Sequence, residues 1–501
     1  MQGFTYIDLI ILVVYLAAVL FAGLHFAKKE MKGKEYFKGD GTVPWWVTSV
    51  SIFATLLSPI SFLSLAGNSY AGTWIMWFAQ LGMLLAIPLT IKFFLPIYSK
   101  LDIDTAYHYL ELRFGSKGLR VLGAVMFIIY QIGRMSIIMY LPCMVLGSLT
   151  GISVNLLIII MGVIAIIYSY TGGLKSVLWT DFIQGSVLLI GVTFALVFLI
   201  VHIDGGMGAI FQAFSLEHKF LAVDQPIFNP NIFKDSVFIL IVGAGFNTMG
   251  SYVSSQDIVQ RFTTTTDTKK LNKMMLTNGA LSIFIATVFY LIGTGLFVFY
   301  KQNALPPAAA PAPLFASSLA FALPVGVTGL LLAAIYAAAQ STLSTGLNSV
   351  ASSWALDIQS NLSKEELGFE KETKIGQRVS LAVGIFSIVV AMVLANGGVK
   401  SAYEWFNGFM GLVLGILIGT FILGAFTKVA NTFGATAAFI AASAVMVYIK
   451  YFVPAGQVTI WSYSIISIAV SLVVGIPASI IWRNIKGDKS EPAPNTTIYK
   501  N

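Results

Sequence analysis

Charge is what this 501-residue chain has least of. Its 30 Lys and Arg and 22 Asp and Glu amount to 10% of the residues, against about 25% in an ordinary soluble domain. Hydrophobic residues reach 57% before the 45 glycines are counted. A soluble fold of this length has no interior for so much apolar surface, because larger chains divide into domains that each need a polar exterior. The scarcity of charge therefore makes lipid the principal solvent. With about 20 apolar residues per span, a dozen or more spans leave no room for a sizeable extramembrane domain. Cysteine is nearly absent, and the single Cys143 excludes a disulfide framework. Four scattered histidines offer no metal cluster.

What is present is a series of apolar runs. Hydropathy and loop signals predict thirteen spans, near 5–26, 45–69, 74–98, 119–149, 152–171, 177–202, 235–253, 274–300, 327–356, 379–396, 403–424, 431–453 and 461–482. The first run lacks a basic start, carries Asp8, exceeds the usual signal-peptide length and is followed by a lysine cluster, so it reads as a retained helix with its N-terminus outside. An odd number of spans puts the C-terminus on the cytoplasmic side. Segments on that side would hold 23 Lys and Arg, including Arg261, and outer segments five: Lys219, Lys234, Lys301, Lys400 and Lys450. This asymmetry agrees with the preference of basic residues for the cytoplasm and accounts for the net charge of +8 without nucleic acid. Asn361-Leu-Ser363 and Asn495-Thr-Thr497 match the glycosylation pattern but fall inside. A Pro/Ala run at 305–313 reads as an outer loop, followed by a short amphipathic or re-entrant stretch at 314–324.

Two spans are interrupted. Pro59 sits among Thr55, Ser58, Ser61 and Ser64 in the span 45–69, where its missing amide hydrogen frees carbonyls near Thr55 and Leu56. The span 235–253 carries Gly243-Ala-Gly245-Phe246-Asn247-Thr248-Met-Gly250 and is expected to break there. The two lie five spans apart, the arrangement that marks the central site of an inverted-repeat transporter. Glycine and proline can also serve helix packing alone. In the span 327–356, Ser341, Ser344 and Thr345 share one face, either as oxygen donors for a hard cation or as a small-residue packing stripe. Arg134 lies midway along 119–149, where a charge needs a partner. Its planar fork suits a substrate carboxylate; pairing with a buried acid is the alternative, and no span centre holds Asp or Glu. Lys92 lies near enough to an inner end to snorkel. Asp181, at the inner end of a span, is either a solvated helix-start residue or an ion ligand.

Four segments together resemble the sodium:solute symporter family: Gly172-Gly-Leu-Lys-Ser-Val-Leu-Trp-Thr-Asp181-Phe-Ile-Gln184, Ala54-Thr-Leu-Leu-Ser58-Pro-Ile-Ser61-Phe-Leu, Thr105-Ala-Tyr-His-Tyr-Leu-Glu-Leu-Arg113-Phe-Gly115 and Ser255-Gln-Asp257-Ile-Val-Gln-Arg261. The resemblance runs to about residue 425. It implies an all-α integral membrane protein of LeuT type, with five plus five inverted spans. An extra helix at 5–26 would precede a first repeat at 45–202 and a second at 235–424. Two helices at 431–482 and a cytoplasmic tail at 483–501 would follow. The resemblance further implies a main sodium site at Ala54, Leu57, Ala338, Ser341 and Thr342, and a second site, present in some members, at Asp181, Ser341, Ser344 and Thr345. Within the family the chain is most similar to the bacterial sialic acid symporters, which implies substrate contacts from Ser58, Ser61, Gln80 and Arg134, joined by Phe246 and Asn247 of the glycine-rich span. Met76 departs from the aromatic residue expected at its position.

The expectation is a symporter in the cell membrane that imports an organic anion, N-acetylneuraminate first, with one or two sodium ions. A monocarboxylate or vitamin symporter of the same family is the alternative. A membrane-embedded enzyme would need a general base, nucleophile or metal set that the spans do not offer, and neither a nucleic acid nor an obligate protein partner is called for.

Overall fold

The computed structural model describes residues 5–27, 34–39, 41–303, 323–363, 368–397, 402–454, 456–487 and 491–499. The basic cluster at 28–33, the Pro/Ala run at 305–313 and most of the stretch at 314–324 lie outside the described residues. Apart from short helices at Lys34–Lys38, His108–Phe114 and Gly206–Leu216, the order among the described residues is α1 (Tyr6–Ala27), α2 (Trp45–Leu56), α3 (Pro59–Ala71), α4 (Ile75–Leu101), α5 (Lys117–Thr150), α6 (Val154–Tyr170), α7 (Gly172–Val201), α8 (Val237–Ser254), α9 (Gln256–Phe262), α10 (Thr268–Gln302), α11 (Val327–Ser352), α12 (Phe369–Asn396), α13 (Ala402–Phe426), α14 (Thr432–Phe452) and α15 (Tyr463–Lys486). Every expected span has a helix. Ten are long and apolar enough to cross a membrane, eleven if the bent pair α2 and α3 is one span, and α6 and Gly411–Phe426 of α13 are shorter apolar helices.

The expected break at Pro59 is present. Leu57 (φ −88, ψ 119) and Ser58 (φ −114, ψ 161) are extended, and α2 and α3 meet at 62°. Ser58 caps α3 by accepting from the Ser61 amide at 3.3 Å, with Pro59 at the first helical position, where its missing amide costs nothing. The second break is not where the glycines suggested. Helix α8 runs through Gly243, Gly245 and Gly250, and the chain leaves helical geometry only at Ser255 (φ −92, ψ 117) before α9 begins. The glycines serve close approach: a β-carbon on Gly82 of α4 would lie 2.5 Å from the Gly245 amide nitrogen and 2.8 Å from the Ile241 carbonyl oxygen. Side chains break the helix instead. Ser254 bonds back to the Gly250 carbonyl at 2.9 Å, and Ser255 Oγ donates to Asp257 Oδ1 at 2.5 Å.

Helices α2, α3, α4, α8 and α10 pack together as one group, and α5, α6, α7, α11 and α12 as another. Helix α11 of the second group also packs on α2 and α3 of the first, and every residue from Leu331 to Ser352 is buried. Its ends are held from both sides. At one end Asp8 of α1 accepts from the amides of Gly326 and Gly329 at 2.8 and 2.7 Å, supplying from another helix the cap that α11 lacks in its own sequence. At the other end Arg120 of α5 donates to Asp357 at 2.6 Å and to the Leu356 carbonyl at 2.9 Å. The tail returns to the body, where the Ile498 amide donates to the Ala425 carbonyl at 3.0 Å.

Candidate functional site

The break between α2 and α3 faces the hydroxyl face of α11. Ser341 Oγ donates to the Ala54 and Ala338 carbonyls, each at 3.1 Å, and Thr342 Oγ1 donates to the Ala338 carbonyl at 3.0 Å. Four oxygens of the expected main sodium site thus converge from two helices, with Leu57 in the extended break beside them. All are neutral and buried, and α2 ends here with its partial negative pole. Such a cluster suits a monovalent hard cation, which needs oxygen donors but no full countercharge.

The expected second site also assembles. Ser344 Oγ and Thr345 Oγ1 donate to the Asp181 carboxylate at 3.3 and 3.1 Å, and Ser344 bonds to the Ser341 carbonyl at 3.1 Å. Asp181 is not a solvated helix-start residue: it is fully buried, inside α7. Ser51 Oγ donates to it at 2.6 Å, and Arg261 pairs with it at 2.8 Å while donating to Thr345 at 2.5 Å. Arg261 was expected among the solvated basic residues of the inner side. It is instead fully buried in α9, because Asp181 and Ser51 together supply the partners that a cytoplasmic loop would have left to water.

On the other side of the break lies a cavity of about 170 Å³, lined in part by Ser58, Ser61, Gln80, Arg134 and Asn247. Five of the six expected substrate contacts therefore line the same cavity. Phe246 does not: it packs against the apolar cluster that includes Met249 and Tyr252. Tyr130, Ser251, Ser255 and Asp257 line the cavity as well. Arg134 is buried, donates through Nη2 to the Thr55 carbonyl at 2.5 Å and through Nη1 to Asp257, and keeps its Nε without a partner among the described residues. Pairing with a buried acid was the alternative reading of Arg134, although no span centre holds one. Asp257 provides it because α8 breaks late and carries the following residues back into the core, where Gln131 Nε2 also reaches Asp257 at 3.2 Å. The signal that could have found it was the run Ser254-Ser255-Gln256-Asp257, four polar residues that compete with the helix backbone.

Two packed helix groups with a broken helix contributed by each half, meeting at a buried polar cavity, define a secondary transporter of the inverted-repeat kind. Residues 36–442 match the sodium:solute symporter family, and the chain belongs to it. It is 33% identical to the sodium/sialic acid symporter SiaT of Proteus mirabilis, across 99% of this chain and 100% of that one. It is 30% identical to the sodium/sialic acid symporter NanT of Aliivibrio fischeri, across 97% and 96%. Among solved structures, it is similar to a substrate-bound, outward-open state of a Na+-coupled sialic acid symporter, with a TM-score of 0.87 at 33% identity over 95% of this chain and 98% of that one. At 14% identity and a TM-score of 0.54, the transporter Mhp1 shares the fold. The architecture is LeuT-type, and the chain is a sodium-coupled, multi-pass membrane transporter, not an enzyme.

Proposed function

We propose that this symporter imports sialic acid, N-acetylneuraminate, with two sodium ions. The observation that carries the reading is Arg134: a buried guanidinium at the wall of a polar cavity, its Nε without a partner among the described residues, beside a helix break whose far side carries the oxygen cluster. The substrate carboxylate would bind Arg134, and Ser58, Ser61, Gln80 and Asn247 would meet the hydroxyl and amide groups of the sugar. One ion would sit among Ala54, Leu57, Ala338, Ser341 and Thr342, and the other at Asp181 with Ser341, Ser344 and Thr345.

Ala54 and Leu57 belong to α2 and its break, and Ala338, Ser341 and Thr342 to α11, so an ion at the main site ties the two helix groups together. That tie holds Ser58, the second residue of the break, in its cavity-facing position, so the ion raises affinity for the sugar, and by reciprocity the sugar raises affinity for the ion. Rocking of one group against the other then exposes the loaded site to the opposite side. We place the N-terminus outside and the C-terminus in the cytoplasm, on the distribution of Lys and Arg. Uptake of labelled N-acetylneuraminate into proteoliposomes under an inward sodium gradient tests the reading. Accumulation above equilibrium that collapses without the gradient is expected; no accumulation, or uptake indifferent to sodium, overturns it.

A further inference from the structure

Resting on that reading of Arg134 and Asp181, we propose that Asp257 and Arg261 are exchange partners that couple the substrate anion to the second sodium ion. Four buried charges alternate in sign from the cavity to that ion site: Arg134, Asp257, Arg261 and Asp181. The first two form an ion pair and so do the last two, with all four side chains no more than 5% exposed. The two pairs already touch, since Arg261 Nη1 donates to the backbone carbonyl of Asp257. Both middle residues lie on α9, one turn apart, with the acid four positions before the base, which is the favourable order for pairing along a helix.

A substrate carboxylate at Arg134 brings a second anion to a guanidinium that Asp257 already holds, and two carboxylates on one buried cation repel. A sodium ion at Asp181 likewise brings a second cation to a carboxylate that Arg261 already holds. Either event alone leaves a buried charge on α9 with a weakened partner, which is costly. The two events together free Asp257 and Arg261 at the same time, and each then has the other. The doubly loaded state is thus the one in which every charge is paired again. The neutral neighbours allow the exchange: Gln131 and Ser255 on Asp257, and Ser51 and Thr345 on Arg261, are all hydrogen-bonding groups without charge of their own. A coupling of this form penalises carriers loaded with only one of the two, which is what prevents leak of ions or substrate.

The test is calorimetric titration of the purified full-length protein in detergent with N-acetylneuraminate, in saturating sodium chloride and in matched choline chloride. In the unaltered protein sodium raises the affinity. In D257N the affinity without sodium is expected to rise, and the enhancement by sodium to fall by about tenfold, within the range typical of coupled sites. R261Q should lose a similar share of the enhancement, R261K should retain most of it, and the double variant D257N/R261Q should lose no more than either single change. R261Q should also be stabilised against heat at lower sodium concentrations than the unaltered protein, because the ion no longer competes with a guanidinium. Folded D257N and R261Q proteins with an unchanged enhancement, or a double variant whose loss is the product of the two, would overturn the exchange. Where D257N does not fold, the R261Q and R261K pair decides. If the unaltered protein binds no sialic acid, the substrate reading fails by itself, and the exchange stands or falls on the shift in the sodium midpoint of R261Q.

Discussion

Arg134 is held through two of its nitrogens, and its buried Nε has no partner among the described residues. Substitution by lysine keeps the charge but not the fork. Arg134→Lys is expected to weaken N-acetylneuraminate binding by about 2 kcal/mol, the scale of one hydrogen bond to a charged group, in titration calorimetry, with sodium-dependent heat stabilisation retained. Ser341 contributes to both expected ion sites. Ser341→Ala should raise the sodium concentration for half-maximal uptake by about tenfold, or roughly 1.4 kcal/mol; an unchanged midpoint would remove that hydroxyl from the ion's coordination. His108 lies outside the spans, where burial and then the nearby Arg120 charge hold its pKa below the ordinary 6.5, and its Nδ1 accepts from the Asp104 amide at 3.3 Å. The folded chain therefore binds fewer protons here than the unfolded one, so stability is full above about pH 6.5 and declines as pH falls below it. His108→Gln should flatten that decline in melting temperature between pH 7 and 5. Of the site's charges, Arg134 was legible in the sequence because an arginine mid-span has few explanations. Asp257 and Arg261 were not, because charge near a span end normally reads as solvated.

At the scale of the helix, hydropathy located every span because lipid permits few alternatives to a long apolar helix. The break at Pro59 was legible for the same reason: a residue without an amide hydrogen, among hydroxyls, has a local effect on its own turn. The break at Ser255 was not, since glycine is ambiguous between loosening a helix and letting two approach. Only the neighbours distinguish these, and they come from residues far away in sequence. Gly82 and Gly245 hold α4 and α8 at a distance that admits no β-carbon. Gly82→Ala should therefore lower the stability by about 1–3 kcal/mol, the scale of overpacking, read as a drop in melting temperature. A melting temperature at the original value would mean that α4 shifts freely.

At the scale of the molecule, two sodium ions with one carboxylate would carry a net positive charge inward per cycle. Current recorded on proteoliposomes, compared with labelled flux, is expected to give one charge per sugar; zero net charge would fix the count at one ion. Helix α11 gives the whole its frame. Asp8 holds one end and Arg120 the other; in the proposed cycle the helix that carries Ser341 and Thr342 would stand like the stator of a motor, and α2 would turn against it. Half of the proposed main ion site would then be bolted to the frame and half would ride on the moving part. A displacement between them would open the coordination sphere, so an ion bound there would work as a shear pin: it would be released when the machine turns, and its departure would mark the stroke.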